Sequence, residues 1–214
     1  MTGPHARDRE LLEAGSRELG AELDAAQTSA LLTFLDQIYI WNRLAGLTTI
    51  PRENAVRLHL LDSLAARPFV RTGPCLDIGT GAGLPGLVLA VVLPAVRFVL
   101  VESNRKRCSF LSETSRLLRL TNVEIVQSDI RDLSRDHRYP TVISRAFRPP
   151  HEFLQIAGEL VRDDGQVVML MADPTADFLS ELQRTSEFIA SDEKRFVLPG
   201  GDEPRTIISF RPHS

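Results

Sequence analysis

Cysteine is nearly absent: Cys75 and Cys108 are the only two in 214 residues. So sparse a pair supports neither a disulfide framework nor a cysteine-built metal site, and it fits a reducing, cytoplasmic setting. Lysine is just as rare, Lys106 and Lys194 being the only ones among 25 basic residues. That bias reflects genome composition as readily as phosphate binding, so it carries no functional argument. Long apolar runs are missing too. The longest, Leu84 to Leu93 with Pro85 inside it, falls well short of the ~20 residues that cross a bilayer. Met1 to Arg9 is polar and charged, without the apolar centre of a secretory signal. Neither sign of charge dominates. A net charge of -3 is not the footprint of a chain that coats nucleic acid indiscriminately, which leaves any RNA contact to a local basic face.

What is present is a chain 43% hydrophobic, enough for one α/β domain with a full core and a modest appendage. Leu31, Leu32, Phe34, Leu35, Ile38, Tyr39 and Trp41 recur at helical spacing, with Asp24 placed to cap that helix. An earlier helix is expected over Arg9 to Leu19, and a third from Pro51 through His59 to Ala66. Residues 1–70 therefore read as a helical extension of a main domain over 71–214, the two forming one structural unit. Strand and helix signals then alternate. Strands are expected at Cys75 to Ile78, Arg97 to Val101, Val123 to Val126, Pro140 to Ser144 and Gln166 to Met171. Helices are expected at Leu84 to Leu93, Asn104 to Leu120, Pro150 to Val161 and Pro174 to Thr185. Such alternation predicts a parallel sheet. The last two strands, near Phe188 to Phe196 and Arg205 to Phe210, lack a crossover helix and are expected as an antiparallel hairpin.

The stretch from Cys75 to Gly86 says most about function: a short apolar strand ends in Asp77, a glycine-rich turn follows, and an apolar helix begins. Gly79, Gly81 and Gly83 let the backbone turn tightly and let a ligand approach the main chain. Gly81, Gly83 and Gly86 also satisfy the dinucleotide pattern, a weak match taken alone, and glycine-rich turns sometimes do no more than end buried strands. Asp77 makes the loop Asp-x-Gly-x-Gly-x-Gly and favours S-adenosylmethionine, because a carboxylate there repels a pyrophosphate. It either accepts from the ligand's amino group or orients the loop. With the reversed last strand, this predicts a class I methyltransferase fold: a Rossmann-like, seven-stranded, mostly parallel α/β sheet. The ligand would lie at the carboxyl ends of the first strands.

Glu102 ends the second strand about 20 residues after the glycine loop, where a carboxylate can accept both ribose hydroxyl hydrogens. Alternatively it complements the dipole of the helix that starts at Asn104. Ser128-Asp129-Ile130-Arg131 follows the third strand. There Asp129 meets an adenine amino edge or simply caps a turn, and Ile130 lies against the ring. Arg145 ends the fourth strand and points either to ligand or to a surface acid.

Methyl transfer from a sulfonium is an in-line displacement that demands close approach, plus a base only if the nucleophile carries a proton. Methylation at pyrimidine carbon 5 requires a cysteine nucleophile, which neither Cys75 nor Cys108 suits. Exocyclic amines go with an Asn/Asp-Pro-Pro-aromatic tetrad, whereas the order here is Phe147-Arg148-Pro149-Pro150. A ring nitrogen with a free lone pair needs no base. No catalytic residue is therefore assigned, and no metal is expected.

Trp41-Asn42-Arg43-Leu44, Leu47-Thr48, His59-Leu60-Leu61-Asp62-Ser63-Leu64, the Asp77 to Gly86 loop, Lys106-Arg107 with Phe110-Leu111, and Ser144-Arg145-Ala146-Phe147 occur in one order and spacing. In this the chain resembles the RsmG (GidB) family of bacterial small-subunit ribosomal RNA guanine-N(7) methyltransferases, over roughly residues 30 to 170. The resemblance implies transfer of methyl from S-adenosylmethionine to nitrogen 7 of a guanine in 16S ribosomal RNA, free or in an assembling small subunit; a monomer is expected. Gly79, Leu84, Ile130 with Arg131, and Arg145 match the family's cofactor-binding positions. Asn42, His59 and Asp62 would shape the RNA side, their other reading being helix packing and capping. Two departures concern RNA. Leu170-Met171-Ala172 stands where the family has a lysine and glycine, and Arg131 stands where an acid is common. Arg148, with Arg105, Lys106 and Arg107, would supply phosphate contacts instead.

Overall fold

The computed structural model describes residues 4–145, 149–185 and 187–212. Helix α1 (Pro4–Glu18) leads into α2 (Ala25–Ala45). Asp24 and Gln27 close a reciprocal capping box on α2, each side chain accepting from the other's backbone amide at 2.8 and 3.1 Å. Gly46 ends the helix in the left-handed region at φ 59°.

The third helix is not the continuous one expected from Pro51 to Ala66. A 3-10 turn (Arg52–Asn54), a π-helical stretch (Val56–Leu61), one α-turn α3 (Asp62–Leu64) and another 3-10 turn (Arg67–Phe69) replace it. The reason is burial on every side. His59, Leu60, Leu61, Asp62, Ser63 and Leu64 are all buried, and no 3.6-residue stripe points six consecutive side chains inward. The wider π-turn shifts their phase.

The seven strands are β1 (Cys75–Ile78), β2 (Phe98–Glu102), β3 (Val123–Gln127), β4 (Tyr139–Arg145), β5 (Val161–Met171), β6 (Phe188–Val197) and β7 (Pro204–Pro212). They form one sheet in the order β3-β2-β1-β4-β5-β7-β6. Strands β1 to β5 pair in parallel, and β7 runs antiparallel to both β5 and β6, as the missing crossover helix predicted. Strand β5 begins five residues earlier than expected, at Val161 rather than Gln166. The crossover helices are α4 (Gly86–Val92), α5 (Arg105–Leu117), α6 (Pro150–Gly158) and α7 (Ala176–Thr185).

One core fills each sheet face. Leu31, Phe34, Leu35, Ile38, Leu60 and Leu64 from the first 70 residues share a continuous apolar cluster with Leu87, Leu100 and Phe110. Phe110 anchors α5 on α2, with ring centroids 6.5 Å from Phe34 and 6.1 Å from Trp41. The opposite face carries α6 and α7 through Phe153, Leu154, Leu179 and Leu182. Because β2 and β4 flank β1 on either side, the strand order reverses there. The carboxyl ends of β1, β2 and β4 open a crevice at that switch point.

Candidate cofactor cleft

Asp77 lies beneath the glycine loop, fully buried. Its Oδ2 accepts from the Thr80 hydroxyl at 2.7 Å and the Gly86 amide at 2.9 Å, so one carboxylate oxygen ties the loop to the first turn of α4. A Cβ on Gly86 would lie within 2.6 Å of that oxygen, which is why the helix must start on glycine. These bonds let Asp77 orient the loop, one of its two expected roles. Its Oδ1 is buried without a hydrogen-bond partner.

Gly79, Gly81 and Gly83 all have positive φ, of 66, 58 and 80°. At Gly81 a Cβ would meet only the Gly79 carbonyl oxygen, at 3.8 Å, so space lies open over the loop. The Gly81 amide donates to Glu102 Oε2 (3.1 Å) and the Asn104 amide to Glu102 Oε1 (2.8 Å). A carboxylate offers about four acceptor positions, so two remain for a ligand's hydroxyls. The helix-end reading of Glu102 is met as well, since Asn104 is the cap of α5 and accepts from the Lys106 and Arg107 amides.

These groups border a hollow of about 180 Å³ lined by Gly79, Val101, Glu102, Ser103, Arg107, Ser128, Asp129 and Ile130. Whole-ligand pockets run to ~300 Å³ or more, so this hollow suits one end of a nucleoside cofactor and leaves the other in the open crevice. A larger hollow of about 1110 Å³ lies elsewhere, between α1 and the Arg52–Asn54 turn. Several of its charges are paired, Arg52 with Asp8 (2.9 Å) and Asp36 (3.0 Å), Arg57 with Glu203 (2.5 Å). It holds neither a glycine loop nor an orphaned buried acid.

The remaining expected site residues divide. Ile130 is buried and lines the hollow. Asp129 lines it too, but it accepts from the Arg131 amide (3.0 Å) and grips the Arg131 guanidinium at 2.9 and 2.7 Å. Arg131 is therefore drawn into a pair at the exposed surface, its side chain 75% accessible, and does not reach the hollow. Leu84 is a core residue. Arg148 falls outside the described residues.

Asn42 and His59, expected on the RNA side, make internal hydrogen bonds. Asn42 Oδ1 accepts from the Leu47 and Thr48 amides (2.8 and 2.9 Å) while its Nδ2 donates to the Thr48 carbonyl (2.8 Å), clamping the turn after α2. His59 is 2% exposed, with Nε2 2.9 Å from the Thr48 hydroxyl.

Arg145 instead links the extension to the sheet. Its Nη1 donates to the Leu58 carbonyl (2.8 Å) and to Asp62 Oδ2 (3.0 Å). Arg205 donates from Nε to the other oxygen, Asp62 Oδ1, at 3.2 Å. The carboxylate thus bridges two guanidiniums. Nothing in the sequence points to Arg205, which lies 143 residues from Asp62. It precedes Thr206, the β7 partner of Met171, and its side chain leaves the sheet on the face opposite Met171. No role was expected for Thr80 or Ser144, and Arg107 was expected only as a phosphate contact. Ser144 Oγ bonds the Ile78 carbonyl (2.9 Å), joining β4 to β1, and Arg107 Nη1 sits 3.7 Å from Glu102.

Two buried groups give opposite pH slopes. Burial, with the Arg145 charge second, lowers His59 to about 4. Burial raises Asp77 to about 6, against the Thr80 and Gly86 hydrogen bonds that favour its charged form. A histidine held below its unfolded value of ~6.5 loses the protein roughly 3 kcal/mol as pH falls from 6.5 through 4. A carboxyl held above its unfolded ~3.9 acts in reverse, its contribution complete at low pH and diminished by roughly 3 kcal/mol as pH rises through 6. The two nearly cancel between pH 4 and 6. Asp77→Asn is expected to unmask the histidine, so that urea-unfolding free energy rises with pH across that window. A falling slope would contradict a neutral, buried His59.

Family comparison settles the fold and kinship. Residues 27–207 match the GidB family, rRNA small subunit methyltransferase G. The chain belongs to that family. It is 33% identical over 198 residues to "Ribosomal RNA small subunit methyltransferase G" of Methylobacillus flagellatus, covering 92% of this chain and 95% of that protein. The Methylococcus capsulatus protein of the same name is 36% identical over 204 residues, covering 94% and 98%. Among solved structures, a Burkholderia thailandensis 1,6-didemethyltoxoflavin-N1-methyltransferase with bound S-adenosylhomocysteine superposes with TM-score 0.61 at 16% identity, over 91% of this chain and 93% of that one. At that identity the likeness speaks for the fold alone. The GidB member described here has the class I methyltransferase architecture. Among the described residues, no helix is long and apolar enough to cross a membrane, and no group of three His, Cys, Asp or Glu side chains could hold a metal.

Proposed function

We propose that the protein transfers a methyl group from S-adenosylmethionine to nitrogen 7 of a guanine in small-subunit ribosomal RNA. The observation that carries this is Glu102, pinned by the Gly81 and Asn104 amides with acceptor positions left over, at the switch point of a GidB-family sheet. Bound there, S-adenosylmethionine supplies an electrophilic methyl carbon on a sulfonium.

The protein's residues do the rest by position. Glu102 takes the ribose hydroxyls, the Gly79 to Gly83 loop lets the cofactor approach the backbone, and Ile130 covers one face of the adenine. Asp77 holds the loop, and its unpartnered Oδ1 favours the cationic amino group of the cofactor's amino-acid end. Asp129 acts mainly as the cap of its turn. Arg145, anchored on Asp62, sets the helical extension of residues 1–70 over the cleft as its RNA-side cover.

A guanine nitrogen 7 carries a free lone pair, so the reaction asks for close approach and alignment and needs no general base. That agrees with the internal engagement of His59 and Asp77, two titratable groups that feel the Arg145 charge. Calorimetric titration tests the cofactor half. Binding of S-adenosylmethionine with no response to a nicotinamide dinucleotide is expected, and the opposite preference would overturn the proposal.

A further inference from the structure

Several arginines are neutralised close by: Arg97 pairs with Glu124 at 2.6 Å, Arg116 with Glu113 at 2.9 Å, Arg135 with Glu159 at 2.8 Å and Arg162 with Asp164 at 2.9 Å. Others are not, and three of those cations, Arg43, Arg105 and Lys106, lie together. All three are exposed, and none has an ion-pair partner among the described residues. The fold brings them to one place: Arg43 lies in the last turn of α2 and the other two in the first turn of α5. Arg107 joins these helix ends by donating from Nη2 to the Gly46 carbonyl at 3.1 Å. The same guanidinium approaches Glu102, so this corner borders the cofactor cleft directly.

The corner also exposes apolar surface. Ile40 and Leu44 are 68% and 57% accessible, the two most exposed large hydrophobic side chains among the described residues. They stand one turn apart on α2, in the same outward stripe as Arg43. Uncompensated cations beside two bare aliphatic side chains suit a polyanion that also presents apolar faces. Duplex RNA satisfies only the first condition, because its bases are stacked inside. Single-stranded RNA satisfies both.

We propose that Arg43, Arg105 and Lys106, with the Ile40–Leu44 shelf, form a docking surface for the single-stranded RNA that leads into the cleft. This rests on the function proposed above. The cations grip phosphates without reading sequence, and the shelf receives an unstacked base. Arg107, expected from sequence to join the phosphate contacts, is excluded because its guanidinium bridges Gly46 and Glu102.

The test measures binding to protein-free, unmethylated small-subunit rRNA made by transcription, across a salt series. Wild type is compared with Arg43→Gln/Arg105→Gln/Lys106→Gln, with Ile40→Ser/Leu44→Ser, and with Arg119→Gln/Arg211→Gln, which neutralises exposed cations at the far edge, where the parallel strands begin. Loss of three phosphate contacts lowers the log–log salt slope by about 2. The triple variant should show that loss and bind on the order of tenfold more weakly, with S-adenosylmethionine affinity intact. The serine pair should weaken binding with the slope unchanged, and the far-edge pair should behave as wild type. A triple variant with wild-type slope and affinity overturns the surface while leaving the function standing. So does a triple variant that binds this RNA normally yet fails only on assembled subunits, which would mark a protein contact. A wild-type protein that neither binds nor methylates the RNA overturns both.

Discussion

Replacing Glu102 by alanine is expected to weaken S-adenosylmethionine binding by at least about a hundredfold while the protein stays folded. A hydrogen bond to a charged acceptor contributes roughly 1.5–3 kcal/mol, and two ribose hydroxyls meet this one carboxylate, so about 3 kcal/mol is the lower bound. The side chain also holds two backbone amides, at Gly81 and Asn104, so its removal releases the loop that receives the cofactor. Glu102→Gln is expected to fall between. It keeps one acceptor oxygen but presents an amide to either the Gly81 or the Asn104 N–H, a donor facing a donor. Calorimetry gives the affinities, and far-ultraviolet circular dichroism confirms the fold. Tight binding by Glu102→Ala would remove the ribose role and leave only the helix-end reading.

The second large effect concerns Asp62. Asp62→Ala leaves Arg145 and Arg205 facing one another across a gap that had held their shared counter-charge. Stripping one partner from a buried pair costs ~3–5 kcal/mol. Here the guanidiniums are 20% and 21% exposed, so solvent screens part of that and roughly 2–3 kcal/mol is expected in urea unfolding. The loss should be partly reversed by adding Arg205→Met, which removes the repulsion and restores apolar volume. A double variant less stable than Asp62→Ala alone would mean that Arg205 contributes through contacts other than this carboxylate. Because Arg145 loses its anchor as well, methyl transfer should drop even at saturating cofactor.

Legibility in the sequence followed the range of the interactions. The Asp24 cap, the Gly79 to Gly83 loop, the alternating strands and the reversed β7 are set by residues a few positions apart, and each stood where it was expected. The Glu102 spacing was equally readable, because one βαβ unit contains both the loop and the acid. The stretch from Arg52 to Phe69 was not. Helical signals were present, but burial on all sides forced the π-turn, and burial is decided by α1, α2 and α4 together. Asn42, His59 and Arg131 were given ligand-side roles by the family resemblance. Their actual partners, the Thr48 backbone, the Thr48 hydroxyl and Asp129, are ordinary local acceptors and donors that no spacing rule ranks above a ligand. Asp62 gathers Arg145 from 83 residues away and Arg205 from 143, a convergence only the tertiary fold creates.

The central claim is that a sulfonium methyl carbon held by this cleft meets an unprotonated purine nitrogen of small-subunit rRNA. Incubation of the protein with tritiated S-adenosylmethionine and unmethylated small-subunit rRNA, followed by nuclease digestion and nucleoside chromatography, tests it most directly. The account predicts radioactivity in 7-methylguanosine alone, at about one methyl per RNA. Label in a methylated pyrimidine, in an exocyclic amine or in no nucleoside at all would contradict it.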